Sequence, residues 1–343
     1  MKPIIVLTAL QVEREAVLHH LTPTETIYHP TTGTDYSKGY YHIPGKCKVE
    51  VIVGRTDQTN VNAALETERA LTLFDPEYVF FVGVAGGIKD VEVGDIVIGS
   101  TVIGYERGKA ENGNFKPRPQ FGASTYALER LSSSFASSNQ WKETAAALCD
   151  KDFAAEIHVL TGAIASGEKV DAAHQSELHK YIKQQASNAL AIEMEGLGFL
   201  EVCRTRPTVK SLLLRGISDL VEDKEGMDSK GSQPYASKNV SAFLFGLLNE
   251  LNLNPQPADT RGEIVEIMCK LYPAGLRDNG IWLSAGGNLA LINLNQSGKA
   301  QWVEAARMLV QGGGGDITPR SLIQSVLVDF QNNMDVQKLL QQL

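Results

Sequence analysis

The strongest constraint on the fold is a series of short apolar runs separated by stretches with helical spacing. Ile4–Leu7, Val49–Val53, Tyr78–Val82, Ile96–Ile98, Ala189–Ile192 and Ser211–Arg215 show little of the polar/apolar alternation of a half-exposed strand. A strand that is apolar on both sides must be buried on both, as in a sheet covered by helices on each face. Gln11–Leu21, Val61–Phe74 and Ser237–Leu251 carry apolar residues at helical spacing and supply the covering layers. Residues 1–252 are therefore expected to form one α/β domain.

The pattern changes at Asn252-Leu253-Asn254-Pro255-Gln256-Pro257-Ala258-Asp259, a polar connector with two prolines. Residues 253–260 read as a linker and 261–343 as a small all-α domain. Its candidate helices are Gly262–Leu271, capped by Asp259 or Thr260, then Ala300–Gln311 and Pro319–Phe330. Thr318 is the expected N-cap of the last, with Pro319 in its first turn. Gly312–Gly315 separates the last two.

The 343 residues suit about two domains at ~150 residues each. A chain with 43% hydrophobic and 21% charged residues is not a disordered one. No apolar run approaches the ~20 residues that span a bilayer, so no membrane partner is expected. The apolar start lacks a small-residue cleavage site and reads as a first strand, not a signal peptide. Cys47, Cys149, Cys203 and Cys269 are dispersed with no CxxC pair, which indicates neither a zinc site nor a disulfide framework and fits a reducing cytoplasm. No His/Asp/Cys spacing indicates a metal, no cofactor is implied, and His19-His20 are expected on a helix surface. The net charge of −8 divides as −7 on residues 1–254 and −1 on the rest. No basic stripe of a duplex-binding protein is present, so nucleic acid is not expected as a partner. A small anionic ligand remains compatible, because a pocket needs only a few local cations.

Four segments of the first domain carry chemistry. Phe80-Phe81-Val82-Gly83-Val84-Ala85-Gly86-Gly87 reads as a strand running into a glycine-rich turn, where backbone N–H groups can approach a ligand. It matches neither GxGxxG nor a P-loop, and taken alone is better read as a tight strand-to-helix turn. Ala191-Ile192-Glu193-Met194-Glu195-Gly196 brings two carboxylates to the end of an apolar run; on a strand Glu193 and Glu195 would share a face, with Met194 opposite. Such a carboxylate can accept from the two hydroxyls of a ribose, and methionine suits the apolar side of a sugar or base. Solvated acids at a strand end are the competing reading. Leu212-Leu213-Leu214-Arg215-Gly216-Ile217-Ser218-Asp219 places an acid where a buried strand ends, a position open α/β sheets use for ligands and a helix N-cap also uses. Ala9-Leu10-Gln11-Val12-Glu13 puts an acid in the first turn after the first strand, which also suits a helix N-terminus electrostatically.

Together and in this order, these segments resemble the nucleoside phosphorylase/nucleosidase family, over about Lys2–Leu251. The likeness is greatest to the methylthioadenosine/adenosylhomocysteine nucleosidase branch, on Ala9 and Glu13, Val84-Ala85-Gly86-Gly87, Ser166-Gly167-Glu168, Glu193-Met194-Glu195 and Ile217-Ser218-Asp219. The resemblance implies a nucleoside phosphorylase-like mixed sheet flanked by helices. It implies Asp219, beside Ser218, as the acid that protonates the leaving purine, and Glu13 as the group that orients and deprotonates the attacking water. Glu195 would hold the 2′- and 3′-hydroxyls and Met194 would pack on the sugar, with Val84, Ala85 and Gly86 along the ligand. Val170 stands where the family often has an aromatic that stacks on the base. The arginine signatures by which the family's phosphorylases read phosphate are missing before Glu13 and after Gly86-Gly87, where Ile88-Lys89 follows. Hydrolysis is therefore expected. Such families build sites near subunit interfaces, which implies a homo-oligomer.

Gly104–Lys109 and Asn114–Pro119 read as a cation-dense loop without helix or strand pattern. With Arg55 and Lys169, its Arg107 and Lys109 are candidates to hold a 5′-phosphate, as in ATP, or are ordinary surface charge. In the tail, Leu271–Arg277, Gly280–Leu283, Ala300-Gln301-Trp302 and Gly312–Ser321 resemble the first type of effector-associated domain, a helical adaptor of bacterial conflict systems. That resemblance implies recruitment by a sensor or activator protein. The combined expectation is a purine N-ribosyl hydrolase, releasing adenine from a nucleoside or nucleotide as an anti-phage effector. The alternatives are a metabolic nucleosidase or purine nucleoside phosphorylase, and a non-catalytic nucleotide sensor.

Overall fold

A computed structural model describes residues 2–45, 47–111, 114–138, 141–143, 157–169, 181–182, 184–220, 232–251, 253 and 261–343. The chain folds as two compact units, residues 2–252 and 253–343. The candidate caps Asp259 and Thr260, and Val170, lie outside the described residues.

The larger unit is built on a ten-stranded mixed sheet. Its strands are β1 (Ile4–Thr8), β2 (Thr22–Tyr28), β3 (Asp35–His42), β4 (Lys48–Arg55), β5 (Tyr78–Gly87), β6 (Ile96–Gly104), β9 (Gln120–Ala123), β10 (Val159–Ser166), β11 (Ala189–Glu193) and β12 (Lys210–Leu220). Between β6 and β9, the short strands β7 (Gly108–Glu111) and β8 (Asn114–Pro117) pair as a separate antiparallel hairpin. The cation-dense segment is thus a hairpin, not a patternless loop; its alternating polar residues are those of a ribbon outside the main sheet.

The main order is β11-β10-β6-β12-β5-β1-β4-β3-β2, and β11 also pairs antiparallel with β5. That extra pairing closes five strands on themselves. Parallel neighbours β4, β1, β5 and β12 form the centre, and their residues are buried because both faces are covered. Helices α1 (Gln11–Leu18), α2 (Asn60–Phe74), α3 (Tyr126–Ser137), α4 (Gly196–Cys203) and α5 (Ser232–Glu250) cover the sheet. Because α1 stops at Leu18, His20 falls in the turn after it and packs on Phe245, with ring centroids 4.6 Å apart. It is half-buried rather than on a helix surface.

The glycine segment departs from expectation in a useful way. Gly83, Gly86 and Gly87 do not end the strand: β5 continues through all three, paired to β12 from Gly83↔Arg215 to Gly87↔Leu220. None has a positive φ. Gly83 and Gly87 serve close approach: a Cβ on Gly83 would stand inside contact distance of Arg215 Nη1 and 2.6 Å from Glu13 Oε1, and one on Gly87 would stand 2.7 Å from Val91 Cγ2.

The smaller unit is helical. It contains α6 (Arg261–Leu271), a single turn α7 (Ile281–Ser284), α8 (Gly298–Val310), α9 (Pro319–Asp329) and α10 (Met334–Gln342). Thr318 caps α9 with a reciprocal bond to Ser321, and Pro319 sits in the first turn. Trp282 and Trp302 are fully buried at its centre, edge to face with centroids 6.4 Å apart. Trp302 Nε1 donates to the Tyr272 carbonyl at 2.9 Å.

Candidate active site

Glu13 follows β1 on the first turn of α1 and is almost fully buried. Its Oε2 accepts from the backbone N–H groups of Ala9 and Leu10, both at 2.8 Å. Its Oε1 accepts from Val84 N–H on β5 at 2.7 Å. Burial raises its pKa against the lowering effects of Arg215 and these three donors. The carboxylate is thereby both fixed in place and more basic than an exposed one.

Arg215, in the middle of β12, is the organising group. It has no solvent exposure and its guanidinium lies over the Phe81 ring at 4.7 Å. Nη2 donates to Glu193 Oε2 and, at 3.0 Å, to Glu195 Oε2. Burial works against its charge, but Glu193, Glu195 and Glu13 outweigh that and hold its pKa above the usual value. In sequence, Arg215 stands inside the apolar run Leu212–Ile217 with no role assigned to it. The signal was there: an arginine inside an apolar central-strand run must be buried, and a buried charge must be paired.

The two acids of Glu193-Met194-Glu195 do not share a strand face. β11 ends at Glu193, and Glu195 is the N-cap of α4. They converge on Arg215 because the chain turns between them. Glu193 Oε2 also accepts from the N–H groups of Glu195 (2.9 Å) and Gly196 (2.7 Å). Glu195 Oε1 accepts from Thr59 N–H at 3.3 Å. Burial, first, and then repulsion from Glu193 and Glu13 raise the Glu195 pKa to about 7 against the pull of Arg215. Three carboxylates face one guanidinium, so full ionisation would leave excess negative charge in a buried place.

Asp219 reaches the same cleft through a β-bulge. In the pairing of β12 with β5, Ile217 faces Ala85 and Asp219 faces Gly86, so Ser218 is the extra residue. Without the bulge Asp219 would lie on the core-facing side of Ile217. Asp219 Oδ2 accepts from Ser218 Oγ at 2.8 Å. Its Oδ1 is buried with no partner among the described residues, leaving it for a ligand.

These groups gather at one open cleft. Glu13, Glu193, Met194, Glu195, Ser218 and Asp219 line it together with Val84, Ala85, Gly86, Ile192, Gln58 and Lys169. Of the candidate phosphate cations, Lys169 alone is among the lining residues; it lies 3.7 Å from Glu106 and is mostly exposed. Arg55 is held by Asp57 at 3.0 Å and by Gln11, while Arg107 and Lys109 flank and begin the β7–β8 hairpin.

A closed mixed sheet with acids gathered where β1, β5, β11 and β12 end defines a phosphorylase-like fold. The sequence profile of the Phosphorylase superfamily matches residues 3–249, and the chain belongs to that superfamily. Among curated relatives, the ATP nucleosidase Cap17 of Escherichia coli (strain KTE188) is 33% identical over 174 residues, 47% of this chain and 34% of that protein. A death domain-containing ATP nucleosidase of Amphimedon queenslandica is 24% identical over 266 residues, 72% of this chain and 48% of that protein. The chain thus spans between a third and a half of the length of these two relatives. A 5′-methylthioadenosine/S-adenosylhomocysteine nucleosidase of Anoxybacillus flavithermus is 28% identical over 204 residues, 59% of this chain and 82% of that protein. The crystal structure of the Helicobacter pylori nucleosidase of that name superposes with a TM-score of 0.58 at 25% identity, covering 73% of this chain and 99% of that one.

Proposed function

We propose that the larger unit hydrolyses the N-glycosidic bond of a purine nucleoside or nucleotide, releasing adenine. The observation that carries this is one cleft lined by Glu13, Glu193, Glu195 and Asp219, with the buried Arg215 paired to Glu193 and Glu195. Cleavage builds positive charge on the ribose and negative charge on the purine. Asp219, with Oδ1 open to the cleft, donates the proton that neutralises the base. Glu13, fixed by three N–H groups and made more basic by burial, takes the proton of the attacking water. Excess negative charge on the opposite side favours the developing oxocarbenium. Glu195 accepts from the ribose hydroxyls.

The same charge balance speaks for water over phosphate. Arg215 is already committed to two carboxylates, and a phosphate dianion there would meet Glu13 and Glu195 uncompensated. Lys169 at the cleft, together with the names of the two ATP nucleosidase relatives, supports a 5′-phosphorylated substrate such as ATP. The adaptor-like tail supports a role as an anti-phage effector recruited by a sensor or activator protein, the dispersed cysteines a cytoplasmic setting, and the family resemblance a homo-oligomer.

The test is release of free base from ATP, AMP, adenosine, methylthioadenosine and adenosylhomocysteine, with and without phosphate. Adenine from ATP without phosphate is expected, with Lys169→Ala raising KM for ATP about tenfold and leaving adenosine unchanged. Turnover of the thionucleosides alone would overturn the nucleotide reading, and a requirement for phosphate would overturn hydrolysis. Tight binding of ATP with no base release would identify a sensor instead.

A further inference from the structure

The N-cap of α4 is unusual in what its side chain does. An N-cap side chain ordinarily accepts from the N–H of the second or third helical residue, yet Glu195 makes no such bond. Its carboxylate is turned to Arg215 and to Thr59 N–H. The orphan N–H groups of α4 are satisfied by other segments. Gly196 N–H donates to Glu193 Oε2 at 2.7 Å, Leu197 N–H to Ser166 Oγ at 3.5 Å, and Gly198 N–H to Asn60 Oδ1 at 2.9 Å.

Asn60 is the hub of this arrangement. Its Oδ1 accepts from Ser166 Oγ at 3.1 Å as well as from Gly198, and its own N–H donates to Glu168 Oε1 at 3.2 Å. Its neighbour Thr59 supplies the donor to Glu195 from a backbone at φ +98°, which a non-glycine residue rarely adopts. Gly198 permits the contact, because a Cβ there would overlap the Asn60 carbonyl oxygen. The start of α2 and the start of α4 are thus locked face to face, through an acceptor that carries no charge. A carboxylate supplying the same capping would add to the excess of negative charge around Arg215.

We propose that Asn60 is a positioning residue: by capping α4 from outside, it frees the Glu195 carboxylate to face the substrate. Remove the Asn60 oxygen and Gly198 N–H, at the third helical position, becomes an orphan of the kind that an N-cap side chain such as that of Glu195 ordinarily accepts from. Glu195 then divides its time between capping and substrate. The link to substrate rests on the reading of Glu195 as the group that holds the ribose hydroxyls; the capping role does not.

The test compares Asn60→Ala with Asn60→Asp, which restores an acceptor oxygen. Alanine is a good helix former at the first position of α2, so that helix keeps its own stability. The first measurement is amide exchange in the first turn of α4, residues 196–199. Faster exchange is expected in Asn60→Ala and protection near wild type in Asn60→Asp; unchanged exchange in Asn60→Ala overturns the capping role. The second is calorimetric binding of adenosine and 2′,3′-dideoxyadenosine. Asn60→Ala should weaken adenosine about tenfold, in line with loss of a cap, and dideoxyadenosine less than about twofold. Equal weakening of both overturns the action through Glu195. Glu195→Ala is the control: if it does not reduce the preference for adenosine, the ribose reading of Glu195 fails instead, while the exchange result stands independently.

Discussion

Asp219 is positioned by one extra residue in one strand, and its Ser218 partner leaves Oδ1 unpaired in the cleft. Asp219→Asn keeps the shape and removes the acidic proton. Base release should fall by about 10²–10⁴, the usual weight of a general acid, with nucleoside binding retained by calorimetry. Retained turnover would place the acid elsewhere. The pH behaviour of Glu195 can also be worked out in sign. Its folded pKa of about 7 lies above the ordinary 4.5, so between these values the folded state binds more protons than the unfolded one. Its contribution to stability is full below 4.5 and is lost as pH rises through 7. His20, half-buried against Phe245, is lowered to about 4 and has the opposite slope: its contribution is present above 6.5 and lost as pH falls. The two overlap, so wild type must be compared with Glu195→Gln. Denaturant unfolding should show wild type losing roughly 3 kcal/mol relative to the variant between pH 4.5 and 8, at ~1.4 kcal/mol per pKa unit. Adenosine binding should run the other way and weaken below pH 7, because only the ionised carboxylate accepts from both hydroxyls. Glu13, Glu195 and Asp219 were recognisable in the sequence through their motifs. Arg215 was legible only as a buried charge in need of partners and Asn60 not at all, because the groups they meet lie 20 to 138 residues away.

At the scale of elements, legibility followed burial. The central strands were visible because burial on both faces leaves runs that are mostly apolar. Strand β2, exposed along nearly its whole length and containing Pro23, carries no such signal, and β10 is interrupted by Thr161 and Gly162. Glycine misled in the opposite direction. A run of glycines suggests a turn when local preference decides, but in β5 tertiary contacts decide. Arg215 Nη1 and Glu13 Oε1 occupy the volume above Gly83, and Val91 and Leu220 that above Gly87. Gly83→Ala is therefore a stringent check on the charged cluster. It should destabilise the larger unit by about 1–3 kcal/mol, or more if the Arg215 pairings break. Activity should fall further than stability accounts for, because Glu13 and Arg215 are both displaced. Thermal unfolding read beside base release separates the two; an active, stable Gly83→Ala protein would show that the cluster is not packed against this strand.

At the scale of the whole molecule, each of the two compact units has a core of its own. One runs through the sheet from Ile5 and Phe81 to Leu213 and Ile217. The other, in residues 261–343, gathers Ile264, Met268, Trp282, Trp302, Leu322 and Val326. A helical unit of this size has little stability to spare, typically no more than ~3–5 kcal/mol from a single hydrophobic core. Truncating a buried tryptophan removes about 3–5 kcal/mol, and Trp302 also holds the Tyr272 carbonyl through its indole N–H. Trp302→Ala should therefore unfold the smaller unit at 25 °C while the larger one keeps its structure. Calorimetry of wild type should show two transitions, of which the variant retains the one that responds to Gly83→Ala. Basal base release by the larger unit should be unchanged within about twofold, since every group assigned to the reaction lies before residue 220. What the variant should lose is any response to a recruiting partner. A single transition, shifted as a whole by Trp302→Ala, would instead show that the two units fold as one cooperative unit and that the tail contributes to the larger unit's own stability.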